Sequence, residues 1–553
     1  MMIRYRTLFS LILLFIFGLN SGQAQNPSSQ KAAFKDRPKL VVGIVVDQMR
    51  YDYLPRYWDK FEAGGFKRLI TQGYNFKNNH YNYFPTYTGP GHAAIYTGTT
   101  PSVNGIVGNS WYDRSIDKKM YVVSDTTVTS VGTDADKEVG QMSPANLLST
   151  TVTDALKNAD KNSKVIAVSI KDRASVLPGG HLADGAYWYD GESGNFISSS
   201  WYMDALPQWV RNFNEEGLAK ELSQKTWNTL LPIEEYEESN PDDSPYEGAY
   251  SWEETPTFPH ELAKSGRESY GIISASPFGN TLVKELAKQA LDAEALGTNE
   301  ATDFLSISFS STDYIGHQFG PHSIEVQDTY LRLDRDLADL FNYLDQKVGK
   351  GNYMVMLTAD HGAVDVPAEL MDKKLPGGYF NSGNVIKALK QYMHEQYGKE
   401  EWIEAYTNQQ VYLDRDLIKA EGMVLQEVQD NAANFLRHFD AIKSTNTAHN
   451  LQYENYTEDY QAMYQRGFLF DRSGDVYIQL KPGYLGSSSH TGTSHGSPYT
   501  YDTHVPLLFY GWNVPQGETS RKTFIPQIAP TIATMLGIPL PSGTPANVLM
   551  FSD

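Results

Sequence analysis

Leu40-Val41-Val42-Gly43-Ile44-Val45-Val46-Asp47 is an apolar, largely β-branched run that stops at a carboxylate. With no polar alternation, it predicts a strand buried on both faces, as in a parallel sheet covered by helices. A polar residue just past such a strand lies where open α/β sheets place their ligands. The pattern recurs. Lys164 to Ser169 runs into Lys171-Asp172-Arg173, Phe304 to Phe309 into Asp313, and Tyr353 to Leu357 into Asp360-His361. Val505 to Tyr510 reads as a further strand. Between them, apolar residues at helical spacing predict helices over Ile324 to Val348 and Leu282 to Leu291, and near the end over Ile528 to Leu536, closed by Gly537. The expected fold class is therefore α/β, a mostly parallel central sheet flanked by helices. Two stretches, about 185–269 and 364–465, break this rhythm and read as insertions decorating the core as caps. The second carries helices around Val385 to Tyr397 and Met423 to Leu436.

The first residues read differently. Arg4 and Arg6 precede an almost wholly apolar run from Leu8 to Leu19, and Gly22-Gln23-Ala24 offers small residues for cleavage. This is the pattern of an export signal over 1–24, and the run is shorter than the ~20 residues a membrane span needs. A polar, flexible segment, 25–38, then leads into the main domain over 39–553. Localisation outside the cytoplasm, periplasmic or secreted, follows as the expectation. The 553 residues include 36 tyrosines and no cysteine, and carry a net charge of -20. Such a surface repels nucleic acid and anionic membrane, so neither is an expected partner. Without thiols, metals must be held by His, Asp and Glu, and any covalent chemistry must use Ser, Thr, Lys or a carboxylate.

Candidates for that chemistry follow the strands. Asp47, Asp313, His317, Asp360, His361 and His495 give three carboxylates and three imidazoles. A catalytic four-coordinate zinc takes three protein ligands and keeps one position open, so such a set serves two ions. Mixed N/O ligation without thiolate favours zinc or a similar divalent ion. In Phe84-Pro85-Thr86-Tyr87-Thr88-Gly89-Pro90-Gly91-His92, a hydroxyl precedes the helix-prone Ala93 to Tyr96. Thr88 thus sits at a helix start, where backbone N–H groups favour an anion; an N-cap role is the alternative, and Thr86 is the competing hydroxyl.

Taken in order, Asp47, the Pro-Thr-x-Thr-x-x-Gly-His segment, Gly105-Ile106-Val107-Gly108-Asn109, Asp313-x-x-Gly-His317, Asp360-His361-Gly362 and Gly492-Thr493-Ser494-His495-Gly496 resemble the alkaline phosphatase superfamily. The spacing is most similar to its nucleotide pyrophosphatase/phosphodiesterase-related branch. Ser-Ile-Lys171-Asp172-Arg173 further resembles the phosphate-irrepressible, PafA-type alkaline phosphatases. The resemblance implies an alkaline phosphatase-like fold and two zinc ions per chain. One ion would lie on Asp313, His317 and His495. The other would lie on Asp47, Asp360 and His361, with Thr88 joining it as nucleophile. It also implies that Asn109, Lys171 and Arg173 hold the phosphate oxygens, and it favours Thr88 over Thr86.

Charge then argues for the kind of ester. Two divalent ions outweigh three aspartates by one charge, and Lys171 with Arg173 bring the site to about +3. A monoester dianion, at close to -2, gains more from that than a singly charged diester. The expected function is a secreted, zinc-dependent phosphatase acting on small phosphate monoesters through a phosphothreonine. A phosphodiesterase or nucleotide pyrophosphatase is the alternative, and a non-catalytic periplasmic phosphate- or zinc-binding protein a remote one. His92 reads as structural, and His504, just before a buried strand, as either a packed residue or one that supports a ligand residue.

Overall fold

The computed structural model describes residues 37–551, apart from 135, 267–269, 399–400 and 488. The expected export signal, and the 25–38 segment up to residue 36, lie outside the described residues. The main sheet has ten strands, numbered here in chain order: β1 Leu40–Val46, β2 Tyr74–Phe76, β3 Ser130–Val131, β4 Val165–Ser169, β5 Gly185–Asp190, β6 Asn195–Ser199, β7 Asp303–Phe309, β8 Tyr353–Thr358, β9 Leu507–Gly511 and β10 Gly517–Thr519. Their spatial order is β10-β2-β9-β8-β1-β7-β4-β5-β6-β3. The five central strands, β8-β1-β7-β4-β5, are mutually parallel. On either side of them, β9 and β6 run antiparallel to their inner neighbours.

The continuous apolar runs have a direct cause. Every residue of β1 is buried, and it pairs in register with β7 on one side and β8 on the other. Helices cover both faces of a central parallel strand, so neither face can carry polar residues. Six helices matter here: α1 Thr88–Thr97, α2 Arg173–Gly179, α3 Phe278–Ala293, α4 Ser311–Phe319, α5 Ile324–Leu344 and α6 Ile528–Leu536. In α5 the Ser323 hydroxyl accepts a hydrogen bond from the Val326 N–H, and Tyr330, Leu333, Leu337, Leu340 and Leu344 point into the core. The last turn predicted for this helix is wider, a π-type turn over Asp345–Gly349. Gly537 ends α6 at φ 59, a left-handed conformation that glycine adopts without penalty.

Both insertions are drawn differently from the sequence reading. Residues 185–199 are not insertion: β5 and β6 belong to the main sheet, and all six residues of Gly-Ala-Tyr-Trp-Tyr-Asp in β5 are buried. Their aromatic, mixed composition hid them from a search for aliphatic runs. The second region reaches past residue 465. It folds as a four-stranded antiparallel sheet, ordered Ile403–Thr407, Gln410–Leu413, Val476–Leu480, Ile442–Thr447. Helices Ser382–Tyr397 and Leu425–Leu436 share a separate apolar core with it, including Leu389, Val411, Ala432, Leu436 and Ile478. The strand third in space comes last in sequence, which is why the boundary falls later than expected.

Because β8, β1, β7 and β4 are adjacent and parallel, their C-terminal ends line up. Asp360, Asp47, Asp313 and Lys171 are delivered to one edge of the sheet by topology alone. Ile307, central in β7 and fully buried, tests this frame. Ile307→Ala should cost about 2–5 kcal/mol of stability in denaturant titration, as truncations of packed core residues do.

Candidate metal centre and active site

Backbone close approach assembles the site. Gly91 of α1 packs against the Asp360 backbone so tightly that a Cβ would collide with the Asp360 carbonyl oxygen. Gly492, at φ 71, packs on the carbonyl of His317. Gln48 sits at φ 62; its N–H donates to Asp360 Oδ1 at 3.1 Å and its Nε2 to Asp313 Oδ1 at 2.6 Å. One residue in a strained turn thus fixes two of the three carboxylates.

The three histidines share a design. His317 Nδ1 pairs with the Thr493 carbonyl at 2.8 Å, His361 Nδ1 with Gly362 at 3.0 Å, and His495 Nδ1 with Thr86 at 2.7 Å. Donation from Nδ1 to a backbone carbonyl leaves Nε2 as the free lone pair, the orientation a metal ligand needs. Those Nε2 atoms converge on the carboxylates: His317 is 3.1 Å and His495 3.6 Å from Asp313 Oδ1, and His361 is 3.4 Å from Asp47 Oδ1. The rings of His361 and His495 stack at 3.4 Å.

Among the described residues, two groups can gather ligand atoms within 4.8 Å of one another: Asp47-Asp360-His361, and Asp313-His361-His495. The first is one of the expected sets. In the second, His361 stands where His317 was expected, while His317 remains in contact with Asp313. Asp47 Oδ1, Asp360 Oδ2 and His361 Nε2 are buried atoms without a hydrogen-bond partner. Orphaned oxygen and nitrogen donors around one point are what a divalent cation would satisfy.

Burial dominates the electrostatics. It lifts Asp360 to about 6 and drops His361 to about 3. It also pushes Asp47 well up, reinforced by the Asp360 charge, and His495 well down, reinforced by His361. Asp313 goes the other way: its burial is outweighed by His317 and Lys171, which hold it well below the ordinary carboxylate range.

Lys171 does not project into open space. Its Nζ lies 2.6 Å from both Asp47 Oδ2 and Asp313 Oδ2, and those carboxylates keep it charged against its burial. Arg173 Nη1 donates to the Tyr121 hydroxyl at 3.0 Å, and its buried Nε has no partner. Asn109 Oδ1 accepts the Gly89 N–H at 2.7 Å, which places its amide beside Thr88. Thr88 is the first residue of α1 rather than its N-cap. The two hydroxyls separate cleanly: Thr86 Oγ1 donates to the Ser497 carbonyl at 2.9 Å, whereas the Thr88 hydroxyl makes no hydrogen bond among the described residues.

His92 is buried between the Thr88 carbonyl and the Ser308 hydroxyl, both at 2.9 Å. His504 stacks between Tyr51 and His80. Both are packed, as read from sequence. Three contributors were missed. Gln48 was one residue from a candidate and its type gave no signal. Tyr121 carries no local motif, and Tyr314, whose ring lies 5.1 Å from the Lys171 ammonium, occupies an unassigned position inside the Asp313-x-x-Gly-His317 motif.

Residues 41–504 match the family described as type I phosphodiesterase / nucleotide pyrophosphatase. The protein belongs to this family. The phosphodiesterase-family chain is 46% identical over 517 residues to alkaline phosphatase PafA of Elizabethkingia meningoseptica, covering 93% of this chain and 94% of that one. It is 44% identical over 544 residues to alkaline phosphatase PhoV of Synechococcus elongatus, covering 98% of each. The crystal structure of wild-type PafA superimposes with a TM-score of 0.89 at 45% identity, over 93% of this chain and 98% of that chain. A second PafA crystal structure carries replacements of one threonine, one asparagine, one lysine and one arginine.

The raised carboxyl value of Asp360 has a sign that can be checked. A group whose folded-state value lies above its unfolded value stabilises the protein at low pH and loses that contribution as pH rises through about 6. Metal binding needs the deprotonated ligand and so gains over the same range. The gap in melting temperature between zinc-saturated and chelated protein should therefore be larger at pH 8 than at pH 5, measured by scanning calorimetry.

Proposed function

We propose that this protein is an alkaline phosphatase, hydrolysing phosphate monoesters with Thr88 as nucleophile and two zinc ions as cofactors. The observation that carries the reading is the unpartnered Thr88 hydroxyl at the first position of α1, next to a buried, cation-demanding ligand set. Relatives named alkaline phosphatases, at 44–46% identity over nearly the whole chain, support the activity. The threonine, asparagine, lysine and arginine replaced in the PafA variant fall at the same intervals as Thr88, Asn109, Lys171 and Arg173, which supports their roles.

Zinc held by Asp47, Asp360 and His361, and by Asp313, His317 and His495, would supply Lewis acidity that eases deprotonation of a hydroxyl and steadies a departing alkoxide. The chain does the rest. Thr88 Oγ1, its proton passed to water, attacks phosphorus in line; the P–O ester bond breaks, the alkoxide takes a proton from water and leaves as an alcohol, and water then hydrolyses the phosphothreonine to phosphate and the free hydroxyl. The N–H-rich start of α1 favours the phosphoryl charge. The Asn109 amide, fixed through Gly89, faces a non-bridging oxygen. Arg173 has an unpaired Nε and a guanidinium suited to two phosphate oxygens at once. Lys171 adds a compact charge while countering Asp47 and Asp313.

A diesterase of the same family is the second reading, favoured by the family description itself. Two added cations argue for the dianionic monoester instead. The pattern at 1–24 supports export to the periplasm or beyond. Among the described residues no helix is long and apolar enough to cross a membrane.

Steady-state hydrolysis of phenyl phosphate and of its matching diester tests the reading. The monoester should be strongly preferred by zinc-loaded protein. Arg173→Ala should lower monoester kcat/KM by about 10²–10³-fold, as loss of a transition-state donor does, and spare the diester. Thr88→Ala should abolish turnover with its metal retained. A diester preference untouched by Arg173→Ala would contradict the assignment.

A further inference from the structure

A cavity of ≈630 Å³ has Asn82, Thr99, Arg466, Lys522, Phe524 and Pro545 among its walls, and none of the metal-ligand candidates borders it. Thr99 follows Gly98, the residue that caps α1, so the cavity lies at the opposite end of that helix from Thr88. At about 1.5 Å per residue, the helix sets the two about 15 Å apart. Separate parts of the chain meet here. Asn82 is on the stretch leading into Thr86 and Thr88, and Arg466 is in the last turn of the inserted helix Asp459–Gly467. Lys522 immediately precedes the strand Thr523–Phe524, which pairs in parallel with Asn79–His80. Pro545 comes from the C-terminal segment.

The charge of the walls runs against that of the chain. With 66 acidic side chains to 46 lysines and arginines, an average cation here has carboxylates to pair with. Yet no Asp or Glu lines this cavity, and neither Arg466 nor Lys522 makes an ion pair among the described residues. Arg466 Nη1 donates to the Asn82 carbonyl at 3.0 Å and Nη2 to the Thr457 carbonyl at 3.2 Å. These bonds fix the guanidinium plane and leave further N–H donors free. Burial alone lowers Arg466 from its ordinary value, with no carboxylate to oppose it. The Lys522 ammonium lies 5.5 Å from the Phe524 ring. Beside these cations, Val103, Pro526 and Pro545 join Phe524 in an apolar wall.

We propose that this cavity binds an aryl anion, an aromatic of one or two rings bearing a carboxylate or sulfonate. Arg466 offers its remaining N–H donors to the anionic oxygens, and Lys522, on a flexible stem, adds a second charge. The ring packs against Phe524 and the prolines. The volume falls within the ~300–1,000 Å³ of pockets for organic ligands, and an inorganic anion would leave the apolar wall unused. The site is separate from the metal centre and does not depend on the phosphatase reading.

Calorimetric titration of zinc-loaded protein with 2-naphthalenesulfonate, which has no phosphoryl group to lose, tests the site. The native protein should bind it saturably at a single site. Lys522→Glu reverses an exposed charge and should weaken binding by about tenfold or more, while phenyl phosphate turnover changes by less than about twofold. Arg466→Gln should weaken binding by a similar factor. 2-Naphthylmethanol, with the same rings and no charge, should bind at least about tenfold more weakly than the sulfonate. Absence of saturable binding, binding indifferent to Lys522→Glu, or equal binding of the neutral alcohol would overturn the proposal. So would loss of binding and of phenyl phosphate turnover together in Lys522→Glu, which would place the sulfonate in the active site.

Discussion

Three carboxylates, Asp47, Asp313 and Asp360, are buried together at adjacent strand ends, with one ammonium, Lys171, between two of them. Desolvating a charge costs several kcal/mol unless it is countered, and one cation does not counter three anions. Burial raises the carboxyl values of Asp47 and Asp360, the direction expected of anions held out of water. The same donor groups suit a divalent cation, which would answer the remaining charge. Much of the surrounding structure serves to keep that uncomfortable cluster in place: the Gln48 turn, the histidine tautomers set by backbone carbonyls, and the glycines that let α1 and the Gly492 loop close on it.

The sheet and the site solve different problems with the same elements. Buried parallel strands supply rigidity, because β1 is held on both sides along its whole length. Their ends supply chemistry, because side chains beyond the last paired residue no longer need to be apolar. Position along the strand therefore separates stability from function. The inserted four-stranded sheet has its own core and meets the site region through Tyr406, through Asn408, whose amide donates to the Ser110 carbonyl, and through Tyr477 packed against Phe84.

What could be read from sequence follows from that division. β1, β4, β7 and β8 were legible because double-sided burial forces uninterrupted apolar runs, and the charged residues ending them were conspicuous for the same reason. β5 and β6 were not, since tyrosine and tryptophan blur the contrast between buried strand and loop. Thr88 is favoured over Thr86 by its place at a helix start and by the family resemblance; what separates them in the structure is the contact of Thr86 with Ser497, more than four hundred residues away in sequence. Gln48 and Tyr121 act through long-range hydrogen bonds that no spacing rule encodes. The position of Lys171, on two aspartates rather than in the open, likewise needed the three-dimensional charge balance.

Elemental analysis of the purified native protein by mass spectrometry, beside Asp360→Asn, measures that balance most directly. The account predicts two zinc ions per chain, with one lost when Asp360 no longer carries charge and its orphaned oxygen is replaced by an amide. A well-folded native protein holding no divalent metal, or one whose metal content is indifferent to Asp360, would contradict it.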